Sequence, residues 1–228
     1  MRFEKLSTKT LRQKVYDQLR QKIISAEISP GETITMRELA QAFGVSLMPI
    51  REALWQLESE KVIVIESNKS IHVNTLTANE VNEILQARLA LESMAVKRAC
   101  ELRPQSALPK VEYYLDGMRN SLKNHRQYLT KNKEFHFSIY SYSESPIFLQ
   151  LIGLLWSRIG PYLFIQASRG GDISGSMECH QGMYEALCER DKNKIVRFLR
   201  RDLEETAKFI IPFLEANNYK QKIQKGGE

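Results

Sequence analysis

The chain has 228 residues, 43% of them hydrophobic, enough for one large domain or two small ones with a real core. Its 33 Lys and Arg against 27 Asp and Glu give a formal charge of +6 and a pI near 9.2, which favours a polyanionic partner without proving one. Three cysteines without a CxxC spacing argue against a disulfide framework and for a reducing cytosol. With no signal-peptide pattern at Met1–Thr10 and no apolar run read as spanning, a cytoplasmic protein that meets no membrane is expected.

Leu11, Val15, Leu19 and Ile23 recur at helical spacing and predict a first helix over 8–26. Ile28-Ser29-Pro30-Gly31-Glu32 is a turn. Residues 34–65 then read as two short amphipathic helices, Met36–Phe43 and Leu47–Glu60, split by Gly44-Val45-Ser46. Thr35-x-x-Glu38 is a capping box for the first, and Ser46 is a natural N-cap for the second. A β-rich piece follows, Val62–Ile65, a turn at Glu66–Ser70, then Ile71–Val73. Helix, turn, helix and wing together are a device for placing side chains against base edges in the major groove. Residues 1–77 carry 11 basic and 9 acidic side chains, leaving 22 and 18 for 78–228, so this segment has no dense basic patch.

Beyond Thr77-x-x-Glu80, a second capping box, the chain reads as helices over 78–101, 106–124, 126–142, 145–168, 173–190 and 192–216. The expected fold is mainly α, a winged helix-turn-helix over 1–76 and an all-α bundle over 77–228. Four polar residues stand on apolar stripes. Asn132 and His136 share a face with Tyr128, Phe135 and Ile139. His180 lies among Ile173, Met177, Tyr184 and Leu187, and Asp202 among Ile195, Leu199, Phe209 and Phe213. Buried polar groups cost roughly 1–3 kcal/mol unless paired, so either each finds a hydrogen bond in the core or all four share a divalent ion such as Zn, Ni or Mn. Arg88 stands on the stripe Val81, Leu85, Glu92, Ala95, Ala99. It either pairs with Glu92 or receives a carboxylate or phosphate. Arg158, with Tyr162 nearby, is a weaker effector-binding candidate.

Ser29-Pro30-Gly31, Met36-Arg37-Glu38-Leu39-Ala40, Gly44-Val45-Ser46 and Pro49-Ile50-Arg51-Glu52-Ala53-Leu54 together resemble the GntR family of bacterial transcription regulators. The branch is the fatty-acid-regulator-like one with an all-helical FCD effector domain, and the resemblance spans about residues 10–215. It implies Arg37 and Arg51 as DNA contacts, with Ser46, Leu47 and Pro49 at the reading head and Lys69 on the wing near phosphate. Leu47 and Met48 replace the family's usual arginine and threonine, while Lys61 and Ser70 replace usual glycines. The resemblance further implies a metal half-site at Asn132-x-x-Phe135-His136, a second part at His180, and Asp202 where a third histidine is usual. It places Arg88 near the effector pocket. The run Leu155-Trp156-Ser157-Arg158-Ile159-Gly160-Pro161 resembles one branch of the family.

The expected function is a homodimeric, non-enzymatic regulator that binds a double-stranded operator and a small organic acid. Two alternatives stand beside it. A metal-dependent hydrolase on the bundle lacks an HExxH pattern. A ligand-binding protein without specific DNA recognition is suggested by Leu47.

Overall fold

The computed structural model describes residues 10–66 and 70–225, with side chains through 216. The chain divides into two compact units, Met1–Thr75 and Leu76–Glu228.

In the first unit, α1 (Leu11–Ile24), α2 (Met36–Phe43) and α3 (Leu47–Ser59) combine with β1 (Thr33–Ile34), β2 (Ile63–Ile65) and β3 (Ile71–Val73). Val15, Leu19 and Ile23 of α1 and Ile50, Ala53, Leu54 and Leu57 of α3 form one buried core with Ile63, Ile71 and Val73. Each large aliphatic side chain buried there stabilises by roughly 1.5–3 kcal/mol. The Thr35–Glu38 capping box is formed, and α2 stops at Gly44 with φ +63. Open space surrounds a Cβ built there, so the left-handed backbone rather than crowding calls for glycine.

Two local expectations change, and one departure from the family's pattern is seen in the backbone. Ser46 occupies the N-cap of α3 with extended backbone, but its side chain makes no capping bond. β1 is a third strand, antiparallel to β3 with Thr33 opposite His72 and Ile34 opposite Ile71, and two residues are too few to show a period in sequence. Lys61 keeps the left-handed backbone, φ +58, that a glycine would favour, and its carbonyl accepts from Asn74 Nδ2 at 2.9 Å. Lys69, expected on the wing, lies outside the described residues.

The second unit contains α4 (Ala78–Leu102), α5 (Leu108–Arg119), α6 (His125–Tyr140), α7 (Pro146–Ser168), α8 (Ile173–Glu189) and α9 (Lys192–Lys225). α5 is shorter than predicted and α9 longer, because the apolar pattern marks faces better than ends. The inward face of α9 is also rotated. Leu203, Ile210 and Leu214 are buried beside Ile195 and Leu199, whereas Phe209 and Phe213 are partly buried and stack on each other.

α7, 23 residues long with an 18-residue window of mean hydropathy 1.4, is long and apolar enough to cross a membrane by length and composition, which corrects the reading of no such run. Here its Ile152, Trp156, Ile159 and Tyr162 are buried in the bundle core. The far ends of α4 and α8 cap each other. Arg103 Nε and Nη2 donate to the carbonyls of Leu187 and Cys188 at 2.9 Å. Arg190 donates in return to Cys100, Glu101 and Arg103 carbonyls at 2.8–2.9 Å. The terminal carbonyls that a helix leaves open are thus satisfied by cations of the favourable sign.

Candidate DNA-reading face and metal centre

Burial of Ile50, Ala53, Leu54 and Leu57 fixes the rotation of α3. The opposite side presents Leu47, Arg51 and Trp55 at four-residue spacing, with Met48 beside Leu47, all exposed. Pro49 is half-buried, while Ser46 and Arg37, in the first turn of α2, are exposed. Among the described residues no ion pair engages Arg37 or Arg51. Such a helix offers its first turns to a groove and its single guanidinium to a base edge or phosphate.

In the second unit α6, α8 and α9 bring His136, His180 and Asp202 together, all buried. His136 Nε2 lies 3.0 Å from His180 Nε2, and each nitrogen is 3.6 Å from an Asp202 oxygen. Metal–ligand bonds of about 2.0–2.2 Å at tetrahedral angles place ligand atoms roughly 3–3.5 Å apart. The two imidazole nitrogens already stand at such a distance, and each faces a different Asp202 oxygen slightly farther off, with one ligand atom from each residue within 4.8 Å of the others. Asn132, one turn before His136, is buried, and its Oδ1 has no hydrogen-bond partner among the described residues. A buried amide oxygen without a donor fits a fourth ligand. Burial first, then the neighbouring His180, lowers the His136 pKa to about 3, so its ring is neutral and able to ligate. Burial opposes the Asp202 carboxylate, but His180 and then His136 outweigh it and hold its pKa well below the usual range.

A second layer sets the His136 tautomer. Tyr140 donates to Glu92 Oε2, since burial and that carboxylate push the phenol well above its ordinary range. The phenol oxygen sits 3.0 Å from His136 Nδ1 and, its own proton committed, accepts from it. The Nε2 lone pair then faces the cluster, the arrangement in which a carboxylate orients a metal-binding imidazole. Glu92 Oε1 also accepts from Arg88 Nε at 2.7 Å and Trp156 Nε1 at 3.1 Å. The Arg88 guanidinium lies 4.7 Å from the Trp156 ring centre.

The Arg88–Glu92 pair therefore exists, yet it uses only Nε. Among the described residues the two Nη groups have no hydrogen-bond partner, and Arg88 lines two adjacent cavities. One, also lined by Asn132, Trp156, Ser176 and Asp202, encloses about 430 Å³ including its open mouth. The other, about 220 Å³, is lined mainly by Val81, Ile84, Leu85, Ile159 and Ile210. Arg158 and Tyr162 line neither cavity. Arg158 pairs with Glu80 at 2.9 Å, and the Tyr162 hydroxyl accepts from the Leu76 amide at 2.7 Å, so each has a bond within the bundle. Tyr140 and Trp156 were missed in sequence. Their signal was faint, a tyrosine one turn after His136 and a tryptophan on the apolar α7.

A winged helix-turn-helix in one unit and a cavity-bearing helical bundle in the other define a DNA-binding regulator with an effector domain. Residues 11–73 match the model of the gntR family of bacterial regulatory proteins and residues 83–205 the FCD domain. The chain belongs to the GntR family, in the branch that carries an FCD domain. It is 28% identical over 194 residues to the HTH-type transcriptional regulator McbR of Escherichia coli K12, covering 82% of this chain and 87% of that one. The gluconate operon transcriptional repressor of Bacillus licheniformis is 26% identical over 200 residues, 82% and 80% of the two chains. The solved structure of E. coli McbR/YncC superposes with a TM-score of 0.81 at 25% identity, covering 92% of this chain and all of that one. A GntR regulator structure from Rhodococcus sp. RHA1, TM-score 0.75 at 21% identity over 88% and 97%, shares the fold. The protein is a DNA-binding transcriptional regulator, and its relatives are regulators rather than hydrolases.

Proposed function

We propose that the regulator works as a homodimer on a palindromic operator, with Arg37 and Arg51 contacting DNA, and that its bundle holds a divalent ion beside a pocket for a small organic acid. The observation that carries the metal reading is the convergence of His136 Nε2, His180 Nε2 and an Asp202 carboxylate within 4.8 Å in a buried site. Asn132 completes the donor set. Two imidazoles with two oxygen ligands suit Zn, Ni or Mn. When bound, the ion supplies fixed positive charge at the head of the cavity. Arg88 supports the carboxylate reading, because its free Nη edge faces the same space. An effector that binds beside Arg88 presses on the helices lining that cavity and thereby shifts them. The dimer reading rests on α7, whose exposed Ile147 and Leu151 continue through half-buried Leu154 as one apolar stripe.

The test is elemental analysis of chelator-free protein alongside thermal denaturation with Zn²⁺, Ni²⁺ or Mn²⁺. About one ion per chain is expected, with roughly 2.7 kcal/mol of stabilisation at a hundredfold excess over Kd. His136→Ala with His180→Ala should lose both. A metal-free parent with no thermal shift would return these side chains to a hydrogen-bonded core.

A further inference from the structure

We infer that α3 recognises its operator chiefly through thymine methyl groups, read by Leu47 and Met48. The inference rests on α3 being the DNA-reading helix and adds what that helix reads. Rotation of α3 is fixed by its buried side, so the outward stripe is a matter of geometry. On it Leu47 is 44% exposed, Met48 61% and Trp55 56%, an unusual concentration of large apolar side chains on so small a unit. Arg51, between Leu47 and Trp55, is the one cation of the stripe. Leu47 and Met48 form the first turn, the part of a recognition helix that enters the groove.

The chemistry narrows the target. In the major groove guanine offers two acceptors, cytosine a donor, and adenine one of each, while thymine alone adds a methyl group. A leucine or methionine pressed on the first three strips water from polar edges and returns no hydrogen bond. Against the methyl it removes apolar surface from water on both sides. The same side chains therefore favour thymine and penalise the other bases, which is how a site discriminates. Arg51 retains a directional contact, best met by guanine. A half-site with thymines flanking one guanine follows.

The experiment uses the full chain. Duplexes are selected from a random library, and the affinity of the selected duplex is measured by fluorescence anisotropy at fixed salt. Each thymine is then replaced by uracil, which removes the methyl and nothing else. One or two positions per half-site should weaken binding about four-fold each, the scale of one buried methyl group. In Leu47→Ala/Met48→Ala that uracil sensitivity should vanish, while sensitivity to replacing the guanine persists. Both positions are exposed, so the variant should fold, and circular dichroism checks it. Uracil effects below two-fold at every position overturn the inference while leaving DNA binding intact. So does an unchanged duplex affinity with an altered oligomeric state in the double variant, which would make the strip a protein contact. A chain that enriches no duplex overturns the DNA-reading role of α3 and the inference with it.

Discussion

Glu92→Gln tests the buried network most directly. The carboxylate is fully buried and accepts from Arg88 Nε, Trp156 Nε1 and the Tyr140 hydroxyl. Glutamine keeps one acceptor oxygen and nearly the same volume, but it removes the charge and turns an NH₂ toward one former donor. Removing one partner of a buried ion pair costs about 3–5 kcal/mol, because the remaining charge is left uncompensated. Arg88 is only 4% exposed, so water compensates its charge poorly. In a unit of about 150 residues that loss lowers Tm by roughly 6–20 °C, at 2–4 °C per kcal/mol. Differential scanning calorimetry on the full chain should show the shift in the transition of the second unit alone. Arg88→Met added to Glu92→Gln should recover part of the loss, since no charge is then stranded. Zinc affinity should fall ten- to a hundredfold in Glu92→Gln, as the relay that holds the His136 tautomer is broken. A cost below about 1 kcal/mol would refute the reasoning, for it would mean that Arg88 draws its compensation from elsewhere.

Lys61→Gly should stabilise the first unit by about 0.5–1 kcal/mol, because φ +58 suits glycine and the Asn74 bond to the position-61 carbonyl is kept; urea denaturation measures it, and a loss of stability would contradict it. The metal-free second unit should weaken as pH falls below about 6.5. The unfolded chain protonates a histidine near that pH, whereas folded His136 resists protonation down to about 3. The unfolded state therefore binds more protons in that window, and the contribution fully present above pH 6.5 is lost by about 1.4 kcal/mol per unit well below it. The depressed Asp202 acts in the same direction at lower pH. A flat Tm between pH 7 and 5 in chelated protein would contradict this.

What the sequence showed was what is local. The Thr35–Glu38 and Thr77–Glu80 boxes need only four residues each, and both form. The placement of His136, His180 and Asp202 on inward stripes was legible because one helical period carries it. Their meeting was not, since it depends on how three helices pack. The Glu92–Tyr140 relay joins residues 48 apart in sequence and leaves no mark in either stripe alone. The pattern of α9 offered two apolar faces, and Phe209 and Phe213 drew the reading toward the less buried one. Arg158 looked free on α7 because its partner, Glu80, stands 78 residues away.

The mutual capping of Arg103 and Arg190 gives the bundle a fulcrum. It pins the C-terminal end of α8 to the C-terminal end of α4, while the N-terminal end of α8 begins just after Gly170 and Gly171. A rod pinned firmly at one end loads its other attachments most. α8 spans 17 residues, about 25 Å at 1.5 Å per residue, and His180 lies about halfway along. Turning α8 about that pin by about 1 Å at His180 would ask for about 2 Å at Ile173. Whatever enlarges the cavity beside His180 therefore strains the N-terminal half of α8 most, where the bond of Ser176 to Asp202 at 2.7 Å ties it to α9.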